Sequence, residues 1–358
     1  MKEPARRKKT PAERRTVRPV PAATPAARRA AAQAVSVELA GAVMTVAGDL
    51  PRALVVTADD GLDRLPDGPL NPHEHKTLDR GLRALVEYQT GLRLGHVEQL
   101  YTFGDRFRTA GEHSGGARTV AVGYVALARQ SALAAQSAAR WQSWYDYLPW
   151  EDWRAERPPV LDQVIAPALR EWAGEATTAA GRRERDERLS IAFAIDGGSW
   201  DPERVLERYE LLYEARLIAE ARRDAASPGE PARAEPSAAH QTGQAMHGDN
   251  RRILATAIGR LRGKAKYRPV IFELLPETFT LLALQQAVEA IAGVRLHKQN
   301  FRRLVLNGGL VETTGRQARQ DAAGKGGRPA ALFRFRREVL RERTATGVGI
   351  PILRPPGG

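Results

Sequence analysis

There is no cysteine in the 358 residues, which removes disulfide scaffolds, thiol nucleophiles, iron–sulfur clusters and cysteine-based zinc sites. There is also no apolar run near the roughly 18 to 20 residues that a bilayer-spanning helix requires. The alanine-rich start is interrupted throughout by arginine and so lacks a signal-peptide core. The expectation is a soluble cytoplasmic protein with no membrane partner. Aromatics make up only 6% of the chain. What is present is an apolar fraction of 42%, enough for ordinary cores and too high for a wholly disordered chain. At roughly 150 residues per domain, the length points to about two domains. Any chemistry falls to histidine, carboxylate or backbone groups; the alternative is binding.

The net charge is +13, and its placement says more than its size. Residues 1–30 hold 10 basic and 2 acidic side chains, 31–249 hold 24 and 33, and 250–343 hold 20 and 7. An acidic body between two basic ends is the electrostatic footprint of a phosphate-backbone binder. Solubility alone does not require such segregation.

Composition divides the chain. Residues 1–33 mix Pro, Ala and Arg without apolar periodicity and read as a disordered basic arm. Over 34–128 the pattern is an α/β domain. VELAGAVMTVAG and RALVVTAD form a hairpin with its turn at Asp49, Leu50 and Pro51. A helix carries Leu78, Leu82, Leu85 and Val86 at helical spacing and stops at Gly91, and VEQLYTF and ARTVAVGYVALA give further strands. Residues 129–225 read as a helical insert. Its clearest helix is DPERVLERYELLYEARLIAEARRD, with Asp201 as N-cap, Pro202 at the first position and Val205, Tyr209, Leu212, Tyr213 and Leu217 on one face. All six tryptophans fall between Trp141 and Trp200, so this insert is the expected dimer interface, with packing inside the chain as the other use of such aromatics. Residues 226–248 are a Pro/Ala/Ser-rich linker, 249–343 a basic domain and 344–358 a tail.

The basic domain carries the most specific pattern. An amphipathic basic helix, NRRILATAIGRLRGK, comes first. Next comes a helix with Thr280 as N-cap, Leu281, Leu284, Val288 and Ile291 on one face and Gly293 at its end. After a short turn, VRLHKQNFRRLVLNGG supplies a third helix in which Leu296, Phe301, Leu304 and Val305 pack while Lys298, Gln299, Arg302 and Arg303 face outward; Asn300 is a further DNA-contact candidate, with local capping as its other use, and a partly inward, supporting role is the other use of Arg303. LVETTG and ALFRFRREV then alternate as strands around a basic loop. Helix, helix, helix, strand, loop, strand is a winged helix-turn-helix. Arg and Lys suit guanine edges, and Asn and Gln suit adenine. In the wing, Arg316, Arg319, Lys325 and Arg328 suit phosphates or the minor groove.

Those segments resemble the C-terminal winged-helix domain of the Nudix-related transcriptional regulators of bacterial NAD metabolism, the NrtR family. The residues that carry the resemblance are KAKYRPVIFELLPETFTLLALQQAVEAIAG, LHKQNFRRLV, LVETTG and GGRPAALFRFR, in matching order and spacing. VEQLYTFGDRFR followed by RTVAVGYVAL is similar to the strand and loop after the family's Nudix box, and WQSWYDYLPWEDWR with ERYELLYEARLIAEA resembles the NadQ-type branch. The resemblance spans nearly everything except the arm and the linker. It implies a Nudix-like α/β N-terminal domain, a helical insert and a C-terminal winged helix, together an α+β chain. In Nudix hydrolases the box helix reads Arg-Glu-apolar-x-Glu-Glu-x-Gly-apolar, and its glutamates hold the hard divalent ions that activate water. Anchored on Gly91 and Leu92, this sequence has Ala84 and Leu85 for the Arg-Glu pair and Tyr88 and Gln89 for the later glutamates, with Lys76 at the upstream glutamate. The resemblance, with those departures, implies a non-enzymatic sensor with no metal and no required cofactor. His73, Glu74 and His75 lie on a loop with no third ligand in view and are not read as a metal site.

The resulting expectation is a homodimeric, nucleoid-associated repressor of NAD biosynthesis genes that binds double-stranded operator DNA. Its effector is an adenine nucleotide: NAD, ADP-ribose or ATP. Tyr101, Phe103, Asp105 and Arg106 are the candidate effector contacts, the aromatics stacking on a base and the arginine pairing a phosphate; simple strand alternation explains Tyr101 and Phe103 equally well. Two rival readings stand beside this one: a nucleoside-diphosphate hydrolase with an atypical metal site, and a nucleic-acid binder without sequence preference.

Overall fold

A seven-stranded mixed sheet organises the N-terminal half. Its centre is β1 (Val35–Ala47), whose run of buried residues from Leu39 to Thr45 marks a strand covered on both faces. The computed structural model describes residues 35–105, 117–129, 133–134, 137–225, 241–318, 329–342 and 347–348. The basic arm, Arg106, residues 226–240 of the linker, Arg319, Lys325, Arg328 and most of the tail lie outside the described residues. Strand β2 (Leu50–Thr57) runs antiparallel to β1, pairing Ala47 with Leu50. The turn is therefore Gly48 and Asp49, one step earlier than the sequence reading placed it. Gly48 adopts φ 64°, which a glycine reaches without strain in a two-residue hairpin loop. Short β3 (Asp63–Arg64) pairs with β2, and β4 (Asp67–Pro69) with β1. Beyond β1 lie β6 (Arg118–Leu127), parallel to it, and β5 (His96–Phe103), antiparallel to β6.

Helix α1 (Leu78–Thr90) forms where the periodicity predicts. Thr77 accepts a hydrogen bond from the Arg80 amide, Leu82 and Val86 are buried, and Gly91 ends the helix at φ 74°. Sheet and helix together form one α/β unit.

The insert differs from its reading in three ways. Residues Ala139–Ser143 are not helical but form β7, paired with β2 through Ala53 and Gln142. Four of the six tryptophans pack within the chain: Trp144, Trp150, Trp172 and Trp200 are at most 8% exposed. They fill the space between the sheet and helices α2 (Ala166–Gly174), α3 (Ala179–Phe193) and α4 (Val205–Glu214). The long helix expected from Asp201 onward is two helices. Asp201 caps only a preceding turn, through the Glu203 amide. Helix α4 stops at Arg216, which has φ 57°, and α5 (Ala219–Ala225) follows.

The linker also ends earlier than its composition implies. Thr242 and Met246 are buried, and Met246 bridges to Asp63 of β3. Helix α6 (Asn250–Ala265) then opens the basic domain and packs against α4, β1, β5 and β6. Helices α7 (Leu281–Ala292) and α8 (Lys298–Asn307) and the hairpin of β8 (Val311–Gln317) and β9 (Ala331–Phe335) complete a winged helix.

Candidate functional site

Helix α7 supplies the scaffold for the exposed helix after it. The Thr280 hydroxyl accepts from the Ala283 amide at 3.1 Å, and Leu281, Leu284, Val288 and Ile291 are all buried. The turn to α8 is fixed by a buried carboxylate. Glu289 accepts hydrogen bonds from the Leu296 amide at 2.9 Å, Gln285 Nε2 at 2.8 Å and Arg295 Nη1 at 2.9 Å. A buried charge needs this many donors to offset its desolvation.

From there α8 anchors itself by Phe301 and Val305, and Lys298, Gln299, Asn300, Arg302 and Arg303 are exposed. Leu304, which the sequence reading packs inward, is 46% exposed. It lies too far around the helix from the Phe301 and Val305 stripe to reach the core. In the wing Arg316 is exposed, Arg334 Nε donates to Glu312 at 2.5 Å, and Arg336 is held by Glu342. Pairing removes Arg334 and Arg336 from the set of free cations. Arg295, not singled out from sequence, stands beside α8, half exposed, with Nη2 at 3.5 Å from Asp49 Oδ2. Its only signal in the sequence was proximity to the recognition segment.

A second site is a cleft of about 470 Å³ between the sheet and the start of α6. Asn250 holds that helix end against the sheet: its Oδ1 accepts from the Leu65 amide at 3.1 Å and its Nδ2 donates to the His247 carbonyl at 2.7 Å. Phe103 and Ile253 line the cleft with Glu38, Asp59, Asp67, Asp105 and Asp249, against the basic groups Arg64 and His247. Burial pushes the Glu38 carboxyl up, only partly offset by His247 and Arg64. Burial acts on Asp60 in the same direction. There the hydrogen bond from His247 Nδ1 at 2.8 Å, with the Leu62 amide, outweighs it and holds the carboxyl below its ordinary value.

Of the four expected effector contacts, Arg106 lies outside the described residues, and Tyr101 stands apart from Phe103 and Asp105. Phe103 and Asp105 line this cleft, but Phe103 is 5% exposed and Asp105 Oδ2 lies 2.9 Å from Arg252 Nη1. Tyr101 instead opens onto a separate depression beside Tyr267, with the Arg260 guanidinium 5.7 Å from its ring centre. The contacts at 247–253 come from a segment that the composition had assigned partly to linker, and nothing in the local pattern signalled them.

Of the residues that the resemblance sets against the Nudix box, Leu85 and Gln89 have structural uses. Leu85 lies against Gly68, Gln89 Nε2 donates to the Asp67 carbonyl at 2.6 Å, and Tyr88 is 91% exposed. Lys76 is exposed, and His75 Nδ1 accepts from the Asn71 amide at 3.2 Å. Among the described residues no three His, Asp or Glu side chains are grouped to hold a metal ion, and no helix is long and apolar enough to cross a membrane.

Comparison with known proteins agrees with this geometry in the C-terminal part. Residues 271–335, which hold α7, α8 and the wing, match the model of the NrtR DNA-binding winged helix domain. A curated relative, the ADPR responsive transcriptional repressor NtrR of Acinetobacter baylyi, is 40% identical over 87 residues. That stretch is 24% of this chain and 33% of the relative, so the match spans about a third of the relative's length. Among solved structures, Shewanella oneidensis NrtR complexed with a 27mer DNA is similar over 85% of this chain and 95% of its own, at 18% identity and TM-score 0.49. The Nudix domain of the same protein complexed with ADP ribose is similar over 32% of this chain and 76% of its own, at 24% identity and TM-score 0.29.

Proposed function

We propose that the chain is a DNA-binding transcriptional repressor of NAD biosynthesis genes, relieved or strengthened by an ADP-ribose-type nucleotide that its α/β domain binds without hydrolysing. The observation that carries this reading is the exposed row of Lys298, Gln299, Asn300, Arg302 and Arg303 on the second helix of an NrtR-type winged helix. These side chains match the hydrogen-bonding pattern of major-groove edges. Arg316 at the wing, with Arg319, Lys325 and Arg328 in the loop beyond it, adds phosphate contacts. The curated relative is named as an ADP-ribose-responsive repressor, which favours ADP-ribose over NAD and ATP.

The acidic cleft suits the sugar part of such a ligand, because carboxylates accept hydrogen bonds from ribose hydroxyls. Its diphosphate would lie toward Arg64, His247 and the first amides of α6, whose helix dipole favours an anion. Leu85, Tyr88 and Gln89 support the absence of hydrolysis, since no carboxylate stands at those positions to hold a divalent ion. No cofactor is needed for either binding event. Two copies are expected on a palindromic operator, because one α8 spans only a few base pairs. Such a protein works at the nucleoid, in the cytoplasm.

The test is binding of the full chain to promoter duplexes of NAD biosynthesis genes and to scrambled duplexes at physiological salt, with and without ADP-ribose, NAD and ATP. Selective binding that ADP-ribose alters is the expected result; equal affinity for both duplexes would leave a nonspecific binder. Release of AMP from ADP-ribose in the presence of Mg²⁺ would restore the hydrolase reading.

A further inference from the structure

The outward face of α8 is not wholly polar. At about 100° per residue, Gln299, Arg303 and Leu306 fall in one row, spaced i, i+4 and i+7, on the side opposite Phe301 and Val305. Phe301 and Val305 are 5% and 0% exposed, whereas Leu306 is 46% exposed. Leu304 is exposed to the same degree but lies about 100° around the helix from Arg303. A single exposed leucine is ordinary on a protein surface. Among the described residues, however, ten large hydrophobic side chains are exposed, and three of them, Leu282, Leu304 and Leu306, belong to α7 and α8. That concentration falls on the pair of helices that carries the DNA-binding match.

The neighbours of Leu306 identify what would cover it. Arg303 stands in the row, Lys298 and Arg302 lie to one side of it, and α8 contains no carboxylate. A second copy of the same basic face would be repelled, while a polyanion would be attracted. On major-groove base edges the apolar feature is the C5-methyl group of thymine.

We propose that Leu306 is a specificity-determining residue that packs against a thymine C5-methyl beside the bases faced by Gln299 and Arg303. This rests on the DNA-binding reading above. The side chain excludes water from the methyl group and gains about three- to fivefold in affinity over the same site without it. Leu304, off the row, makes no such contact.

The experiment begins by selecting duplexes from a random pool with the full chain. Each thymidine of the selected site is then replaced singly by deoxyuridine, which removes only the methyl group. Affinities are measured for the wild type, Leu306→Ala and Leu304→Ala, with far-UV circular dichroism to verify that each variant folds. One thymidine per half-site should weaken wild-type binding about three- to fivefold when demethylated. Leu306→Ala should be indifferent to that replacement, and Leu304→Ala should remain sensitive. Indifference of the wild type at every thymidine, a result that requires no variant, overturns the inference while leaving DNA binding intact. Sensitivity retained by Leu306→Ala also overturns it. Enrichment of no sequence at all would sink the DNA-binding reading, and this inference with it.

Discussion

Three charged side chains, Glu151, Arg208 and Arg262, are at most 1% exposed, and both arginines pair with the one carboxylate. Arg208 Nε donates to Glu151 Oε1 at 2.5 Å with its guanidinium 3.9 Å from the Trp200 ring centre, and Arg262 bonds both Glu151 and the Ile291 carbonyl. Burial by itself would raise the Glu151 carboxyl, but Arg208 and Arg262 hold it below the usual carboxylate range. Glu151→Gln leaves two guanidiniums buried with half their neutralisation gone. It should cost about 3–5 kcal/mol in urea unfolding. The pH dependence has a definite sign. A carboxyl whose folded value is depressed contributes stability above its unfolded pKa of about 4.3 and loses it as pH falls through the folded value. The gap between wild type and Glu151→Gln should therefore be full at neutral pH and shrink below about pH 4. A gap independent of pH would mean that the variant fails through packing rather than charge. None of this is visible along the chain, where Glu151 stands 57 residues from one arginine and 111 from the other.

Between elements, the turn that aims α8 is held from outside its own domain. Gly293 ends α7 at φ 75°, its carbonyl accepts from the Trp153 amide at 2.7 Å, and a Cβ placed on it would lie 2.4 Å from the Glu151 carbonyl oxygen. Gly293→Ala must therefore strain the left-handed backbone, at about 1 kcal/mol, and also push back the insert. The expected outcome is a lower melting temperature and weaker operator binding together. Operator binding unchanged in a destabilised protein would show that the insert does not aim α8. Elements with standard punctuation were legible in the sequence: Gly91 closed α1, and Thr280 with Gly293 bounded α7, because caps act within one turn of chain. The end of α4 was not. Its Leu217 amide bonds the Leu212 carbonyl and its Arg216 amide the Tyr213 carbonyl, a Schellman ending with arginine where glycine is usual. The cleft beside α6 escaped reading for a different reason. Its walls meet only after Met246 bridges to Asp63, a tertiary contact that no periodicity encodes.

At the scale of the whole molecule, the α/β part and the winged helix are not independent bodies joined by a tether. One continuous hydrophobic cluster runs from Met44 of β1 and Phe103 of β5 through Trp144 and Leu254 to Val288, Phe301 and Val311 of the winged helix. Helix α6 belongs to both parts: His247 to Ile253 border the cleft at its start, and Arg262 near its end is tied to Ile291 of α7 and to Glu151. A chain built this way loses its core as a unit, because freeing the winged helix would expose apolar surface and strand the buried charges at the same time. Guanidinium unfolding followed by tryptophan fluorescence, which reports the insert, and by far-UV circular dichroism, which reports all helices, should give coincident transitions. ADP-ribose at about 100 times its dissociation constant should stabilise both probes equally, by about 2.7 kcal/mol. Two separated transitions, with the ligand moving only one, would show that the contact between the halves is too weak to carry a signal. Regulation would then have to act through the spacing of two subunits rather than through α6. Coincident transitions that shift together would place the ligand, the buried charges and the aim of α8 in one equilibrium, which an effector must bias to change operator affinity.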